Sequence, residues 1–500
     1  MSETANVYDV IVIGAGPVGQ NVADRARAAG LTVAVVEREL VGGECSYWAC
    51  IPSKALIRPV IAVADARRVD GAREAVSGPI DPAGVFGRRD CYVSDWDDTG
   101  QVEKYLVGIG ADLVRGHGRL DGPRRVAVAT SDDRLVVLNA RHAVAVCTGS
   151  RPALPDVPGV AEARPWTNRR ATDSSQVPPR LAIVGGGPVG VEMATAWNGL
   201  GSAITLLSRE PSLLTGFEPF AGELVGLALK ESGVDVRTGV TVIELRRPGG
   251  TGAVTLVLDD GSELEADEVL VAIGREPHTG DIGLDSVGLS PGSWLDVDDT
   301  CLVRGVGDEW LYAVGDVNHR ALLTHQGKYQ ARIVGTAIGL RAAGRPVDTT
   351  PWGTHATTAD HHAVPQVVFT DPEIGAVGDR RAALRRYVPG SGADGRRPRP
   401  RAPARRDLRR GRRVRATALG DHRRRSRGAY QPALARRAVV PDHQRGLAAP
   451  ARGLPRLKAK HQVRQRAGRG TRLGQSLGRP GPHQRDGDVA RRERPCGAEA

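Results

Sequence analysis

Apolar residues come along this chain in two rhythms, short unbroken runs and a looser helical spacing. Residues 7–13 (VYDVIVI) are a β-branched run that stops at a glycine cluster, the pattern of a parallel strand buried on both faces. An Ala- and Arg-rich helical stretch follows, and a second strand is predicted at Leu31–Val36. Strand, glycine turn, helix and strand within about 30 residues make a βαβ unit. The succession returns at Arg180–Leu207, as RLAIVGGGPVGVEMATAWNGLGSAITLL. Two copies about 170 residues apart predict two nucleotide-binding domains in tandem, not a short-period solenoid.

Between the copies, a helical segment is expected after Cys50, an irregular stretch over Val69–Thr99 and β-like runs through Val126–Val146. Beyond the second copy, hairpin strands are expected to turn at Asp260-Gly261. The runs LEADEVLVAIG and EWLYAVGDV then each end a strand at a glycine, and residues 365–378 (PQVVFTDPEIGAVG) read as a strand entering a structured domain. After Gly378 the rhythm stops. Residues 379–500 hold two aromatic residues, Tyr387 and Tyr430, among repeated Arg pairs and many Pro and Gly, and no packed core is expected there.

Charge divides the chain at the same place. The whole carries +12, yet residues 379–500 hold 35 basic against 9 acidic residues, a local +26, so the preceding 378 residues carry −14. The high isoelectric point belongs to the tail, and what precedes it is an ordinary, mildly acidic globular chain. Of six cysteines only Cys45 and Cys50 are close in sequence, which excludes the disulfide framework of a secreted scaffold. The opening MSETANVYDVIVIGAG has no basic leader region or small-residue cleavage site, and no apolar run reaches a membrane span. A soluble cytoplasmic protein without a membrane partner is expected.

Three motifs carry chemistry. Gly14-x-Gly16-x-x-Gly19 lies between strand and helix, with Glu37 at the end of the next strand. Such glycines allow a tight turn and bring a pyrophosphate to the helix N-terminus, while the acid reaches ribose hydroxyls. Alone the glycine pattern is often just a turn; its flanks and the acid in register make it a dinucleotide site. Gly185-x-Gly187-x-x-Gly190 repeats it, with Pro188 and Val189 inside the turn and Val240 and Gly274 placed beside the same nucleotide. Here Ser208-Arg209 stands where the first unit has Glu37-Arg38, so NADPH is favoured over NADH, because Arg209 could pair with a 2′-phosphate. A solvated surface arginine is the bland alternative.

The third motif is Cys45-Ser-Tyr-Trp-Ala-Cys50-Ile-Pro-Ser-Lys54, directly after Val41-Gly-Gly-Glu44. Two thiols five positions apart in a helical segment could close a small ring, and a helix starting there would lower a thiolate pKa. Core filler and half a metal site are the other readings of such a pair. No second Cys/His pair at zinc spacing accompanies it, so no metal is expected.

GGECSYWACIPSK resembles the redox segment of the flavoprotein disulfide reductases, which include dihydrolipoamide dehydrogenase, glutathione reductase and mercuric reductase. The resemblance runs from residue 7 to about 378. It implies FAD and NAD(P)H as cofactors, Cys45 as the thiol exchanging with substrate and Cys50 as the thiol next to the flavin. It further implies Lys54 beside the flavin ring, paired with Glu192, and Gly118 against the adenine. Thr148, Gly149 and Ser150 would meet FAD at the exit of the first domain. Asp316 would bind the ribityl and phosphate region, and Leu322, Leu323, Thr324 and His325 would start the helix beneath the isoalloxazine. Gly274-Arg275-Glu-Pro277 resembles the strand that returns to the FAD domain.

The resemblance implies an α/β fold with two Rossmann-like domains. Residues 1–150 and 275–350 would form a split FAD domain, 151–274 the NAD(P)H domain and 351–378 the start of an interface domain. The family's interface domain forms its homodimer and carries a His-Pro-x-x-x-Glu motif whose His serves the other subunit's interchange thiol. None follows Gly378; His422, His443, His461 and His483 stand in Arg-rich contexts. Residues 379–500 are therefore read as an out-of-frame translation of a GC-rich gene, the rival being a basic tail that binds nucleic acid. Ser46-Tyr47-Trp48-Ala49 is bulkier than usual, His278 replaces an Asn, and Cys496 has no neighbour for the mercuric reductases' C-terminal pair. The expected activity is transfer of electrons between NAD(P)H and a small-molecule or protein disulfide. A quinone or electron-acceptor reductase not using the thiols and a non-catalytic flavoprotein are the alternatives.

Overall fold

The glycine-bounded β-branched runs sit where their pattern puts them, at the centre of two parallel sheets. The computed structural model describes residues 6–378 and the backbone of 415–419. In the first sheet β1 (Asn6–Ile13) lies parallel to β2 (Val33–Glu37), with Val10 opposite Val33, and α1 (Pro17–Ala28) connects them. Next to β2 comes β3 (Asp112–Arg115); on the other side of β1 lies the long β6 (Leu135–Val146). The first half of β6 pairs antiparallel with β5 (Arg125–Ala129), which pairs with β4 (His117–Leu120). After β7 (Ser150–Pro152), the second unit builds a sheet of its own. It holds β8 (Arg180–Val184), β9 (Ala203–Ser208) and β10 (Asp235–Thr238), joined by β14 (Glu268–Val271). A separate antiparallel sheet is made of β11 (Val242–Arg246), β12 (Val254–Leu258) and β13 (Glu263–Ala266), and Gly261, at φ +83°, turns the expected hairpin.

Far downstream, β15 (Arg275–Pro277) pairs with β7, and β16 (Leu311–Ala313) joins the first sheet beside the second half of β6. The second nucleotide-type unit is thus inserted into the first. The two sheets have distinct cores. Val10, Val12, Val33 and Val35 pack under α1 on one face of the first sheet, whereas Leu181, Ile183, Leu206 and the fully buried Trp197 fill the second. This is the expected α/β architecture.

Three local readings change. Val69–Thr99 is not irregular throughout, since α4 (Pro82–Tyr92) runs through it. Asp81 caps that helix by accepting from the N–H groups of Ala83 and Gly84, with Pro82 at the first helical position, a start signal legible as Asp-Pro. Residues 365–378 are a hairpin, not a single strand. β17 (Pro365–Val368) turns at Asp371-Pro372 into β18 (Glu373–Val377), against which the backbone of β19 (Arg415–Leu419) lies antiparallel. The segment of the cysteine pair is not one helix. α2 (Gly43–Tyr47) ends, Trp48 and Ala49 leave helical geometry, and α3 (Cys50–Arg68) begins. The remaining readings of 379–500, namely its out-of-frame origin, lack of a core, nucleic-acid binding and missing dimer motif, lie outside the described residues.

Candidate active site

The helix break brings the thiols together. In an unbroken helix a five-residue spacing would turn two side chains well away from each other. With the break at Trp48-Ala49, Cys45 and Cys50 are free thiols in hydrogen-bond contact, and Cys50 Sγ lies 3.3 Å from Thr324 Oγ1 at the start of α10 (Thr324–Ala342). The pair ionises unequally. Cys50 is pulled down to about 6, first by the hydrogen bond from Cys45, then by Thr324 and by the positive charge of Lys54, against the cost of burial. Cys45 is pushed up, first because its S–H donates to Cys50, then by burial and by the charge on Cys50. As the first residue of α3, Cys50 also meets the positive end of a helix.

A measurable consequence follows. As pH rises, the thiolate of Cys50 appears through about 6 and that of Cys45 much later. Alkylation of the reduced protein should therefore modify Cys50 first, with a half-rate near that pH, and Cys45→Ala should move the half-rate upward by removing the donor. A Cys50 that reacts only in the ordinary thiol range of about 8.5 would overturn the assignment.

Behind the pair, Lys54 Nζ donates to Glu192 Oε2 at 2.6 Å, as expected. Glu192 is buried, and its other oxygen accepts from the N–H of Phe369 at 3.0 Å, a contact no motif announced. Lys54 also sits 4.6 Å over the Phe369 ring.

A cleft with about 1020 Å³ of empty space, continuous with open solvent, lies in front of α1. Among the expected residues, Gly14, Gly16, Glu37, Cys45, Gly118, Thr148, Gly149, Ser150, Asp316 and Thr324 line it. Gly14 has φ +103°, and a Cβ there would lie 2.5 Å from the Cys147 carbonyl oxygen. Nothing stands within 4 Å of a Cβ on Gly16, and a Cβ on Gly19 would lie 1.9 Å from Gly14 O. One glycine thus makes the turn, one leaves the approach open and one lets the helix close on the strand. No side chain caps α1 and its first turn holds no acid, so its N–H groups are left for an anion. Glu37 is held by the N–H groups of Ala15 (2.7 Å) and Glu39 (2.8 Å). Asp316 accepts from Ser150 Oγ at 2.6 Å, and burial pushes its carboxyl upward. Thr148 Oγ1 is buried with no partner, an acceptor and donor a bound group would satisfy.

Leu322, Leu323 and His325 do not reach this wall. Only Thr324 does, because Leu323 is the extended residue preceding α10 and His325 turns to the Pro365 carbonyl oxygen, 2.8 Å away. Charged residues that motif reading missed ring the mouth: Arg38, Glu39, Glu44, Arg169, His278 and Asp281. Arg275, seen in sequence only as part of a strand match, donates to Ser150 Oγ and so extends the Asp316 chain.

The second groove repeats the first around α8 (Pro188–Gly199). It is lined by Gly185, Gly187, Pro188, Val189, Ser208, Arg209, Val240 and Gly274. Gly185 has φ +126°, Gly187 is open, and a Cβ on Gly190 would lie 1.9 Å from Gly185 O. Ser208 is buried, while Arg209 is 78% exposed and 3.2 Å from Glu210. Among the described residues no cluster of His, Cys, Asp and Glu could hold a metal ion, and no helix is long and apolar enough to cross a membrane.

Two dinucleotide grooves on tandem Rossmann-like sheets, with one thiol of a hydrogen-bonded pair, Cys45, at the wall of the first, define a two-nucleotide thiol oxidoreductase. The chain belongs to the pyridine nucleotide-disulphide oxidoreductase family, whose pattern matches residues 8–337. The family comprises flavoproteins that use FAD, a pyridine nucleotide and a redox-active disulfide. The chain is 33% identical to a dihydrolipoyl dehydrogenase of Haloferax volcanii, over 76% of this chain and 77% of that protein. It is 31% identical to a glutathione reductase of Burkholderia cepacia (76% and 79%) and 30% identical to a mercuric reductase of Staphylococcus aureus (74% and 64%). Its fold is similar to that of the HOCl-induced flavoprotein disulfide reductase RclA of Escherichia coli. There the TM-score is 0.63 at 21% identity, covering 75% of this chain and 78% of that one.

Proposed function

We propose that this chain is a cytoplasmic FAD-dependent, NAD(P)H-linked disulfide or dithiol oxidoreductase of the dihydrolipoamide dehydrogenase kind. The observation that supports it most is the unequal thiol pair, of which Cys45 lines the first cavity. FAD would be held by Gly14, Gly16, Glu37, Thr148 and Asp316, and NAD(P)H by Gly185, Gly187, Ser208 and Arg209. When bound, FAD supplies two-electron exchange between a pyridine nucleotide and sulfur. The domain limits expected from sequence belong to the same reading, supported by the return of β15 and β16 to the first unit.

The thiols do the rest. Cys45 attacks one sulfur of a substrate disulfide, passing its proton to the Cys50 thiolate and releasing the other substrate sulfur as a thiolate. Cys50 then gives that proton to the released substrate thiolate and attacks Cys45 Sγ. The Cys45–Cys50 disulfide closes and the second substrate sulfur leaves as a thiolate; the substrate is reduced and the pair oxidised by two electrons. Cys45 is the thiol that lines the wall; we assign Cys50 to the flavin side on its contact with Thr324, itself a wall residue, and on its lowered pKa. Lys54, fixed by Glu192, supplies the positive charge that stabilises the Cys50 thiolate.

The test is to purify the chain, measure FAD uptake and follow NAD(P)H oxidation with a disulfide and with a quinone. Alkylating the reduced thiols should abolish the disulfide activity alone. Disulfide reduction that survives alkylation, or a folded protein that takes up no FAD, would sink the proposal. Coenzyme choice is part of the same reading. Arg209, now beside Glu210, would turn to a 2′-phosphate, so Arg209→Glu should lower the NADPH/NADH ratio of kcat/KM. Its exposure limits the drop to about three- to tenfold. An unchanged ratio would show that Arg209 makes no such contact.

A further inference from the structure

The short helix α7 (Asn168–Asp173) belongs to neither nucleotide motif, yet it holds the break between the thiols. Asn168 Nδ2 donates to the Trp48 carbonyl oxygen at 2.9 Å and to Glu44 Oε2 at 2.8 Å. Both partners are acceptors, so the amide nitrogen must face them. Thr172 Oγ1 lies 3.1 Å from the same Trp48 carbonyl and shares its single proton between it, the nearer Asn168 carbonyl at 2.9 Å and that of Arg169. Arg169 joins Glu44 Oε1 at 2.5 Å and lies 4.2 Å over the Trp48 ring. Trp48 is the residue at which α2 stops, and Glu44 immediately precedes Cys45. The Trp48 carbonyl at the break and the Glu44 carboxylate beside Cys45 are therefore gripped from one helix. Asn168 is also buried, with its Oδ1 unpartnered, and it lines the second groove.

We propose that Asn168 is a positioning residue for the thiol pair: its amide fixes the Trp48 carbonyl at the break between α2 and α3 and so keeps Cys45 facing Cys50. The inference rests on the thiol function proposed above. Pro52 has no N–H to offer the Trp48 carbonyl, so without the amide that carbonyl loses its donor and the link between α2 and α3 is free to shift, taking Cys45 off Cys50. Arg169 and Thr172 would hold the loop near its place, so the protein would fold but the thiols would meet less often. Asn168 acts through Trp48 and Glu44 and touches no sulfur among its recorded contacts.

The experiment uses the full chain, reduced and then exposed to oxidised dithiothreitol, which takes two electrons from the pair and becomes the dithiol. Closure of the Cys45–Cys50 disulfide is followed by mass spectrometry of peptides. Asn168→Leu, close in volume but without donors, should slow closure on the order of tenfold, the scale of two lost hydrogen bonds. It should also raise the pH of half-maximal Cys50 alkylation, because Cys45 donates less often. Asn168→Ser, which keeps one donor, should fall between and carries the test alone if the Leu variant does not fold. Wild-type closure rates and alkylation midpoints in the folded variants would overturn the proposal. A wild-type chain that closes no disulfide would instead sink the thiol function itself, so the two failures are distinguishable.

Discussion

On the reading of residues 379–500 as an out-of-frame translation, restoring the frame after Gly378 is expected to raise disulfide turnover by roughly a hundred- to ten-thousand-fold, the usual contribution of a positioned general acid or base. As written, residues 379–500 carry +26 with two aromatic residues, a composition poor in the apolar area that offsets ordering costs of about 1–2 kcal/mol per residue. The family resemblance places there a His that takes the proton of the interchange thiol. The unrepaired chain leaves Cys45 to pass its proton to Cys50, whose lowered pKa makes it a weak base. A repaired gene should yield a His-Pro-x-x-x-Glu motif, a dimer by sedimentation and fast turnover together. The unrepaired protein should accept hydride from NAD(P)H, once loaded with FAD, but reduce disulfides poorly. A compact, fully active dimer from the unrepaired sequence would show that the tail is genuine and the frame intact.

Valine in place of Gly19 is expected to abolish FAD retention, and valine in place of Gly190 to abolish NAD(P)H binding while the protein still holds its flavin. In each case the new Cβ would lie 1.9 Å from a glycine carbonyl oxygen, and backbone cannot swing aside as a side chain can. Gly14 and Gly185, which carry those carbonyls, are themselves pinned at positive φ, with Cβ positions 2.5 and 2.2 Å from the carbonyls of Cys147 and Ala272. The helix must move off its strand, and overpacking of this kind costs about 1–3 kcal/mol or more. That corresponds to at least a ten- to hundredfold loss of affinity at the helix N-terminus concerned. Flavin absorbance of the purified variants and titration with NADPH separate the two effects. A Gly19→Val protein that purifies with full flavin would refute the assignment of the first cavity.

The sequence by itself determined the two βαβ units, their glycine turns and the Lys54–Glu192 pairing that the family resemblance implied. These are legible because they depend on local chemistry: a β-branched run wants a buried strand, and a turn against backbone admits only glycine. It also marked Gly378 as the place where the chain's character changes, since apolar spacing and charge fail together there. The tertiary structure alone decided the rest. That Cys45 meets Cys50 depends on a helix break that the five-residue interval does not reveal; its local signal is Pro52, which denies the Trp48 carbonyl a helical partner, and packing sets how the two helices then lie. Asn168 and Arg169 were invisible because they act from about 120 residues away through ordinary polar side chains without a motif. The Phe369 N–H on Glu192 was invisible for a related reason: a backbone donor carries no residue-type signal. Leu322, Leu323 and His325 share a match with Thr324, yet only Thr324 faces the cavity, because the two leucines precede the helix and His325, about 100° round it from Thr324, turns to the Pro365 carbonyl. Sequence names the groups that can do chemistry; which of them face one another is set by packing between segments far apart in the chain.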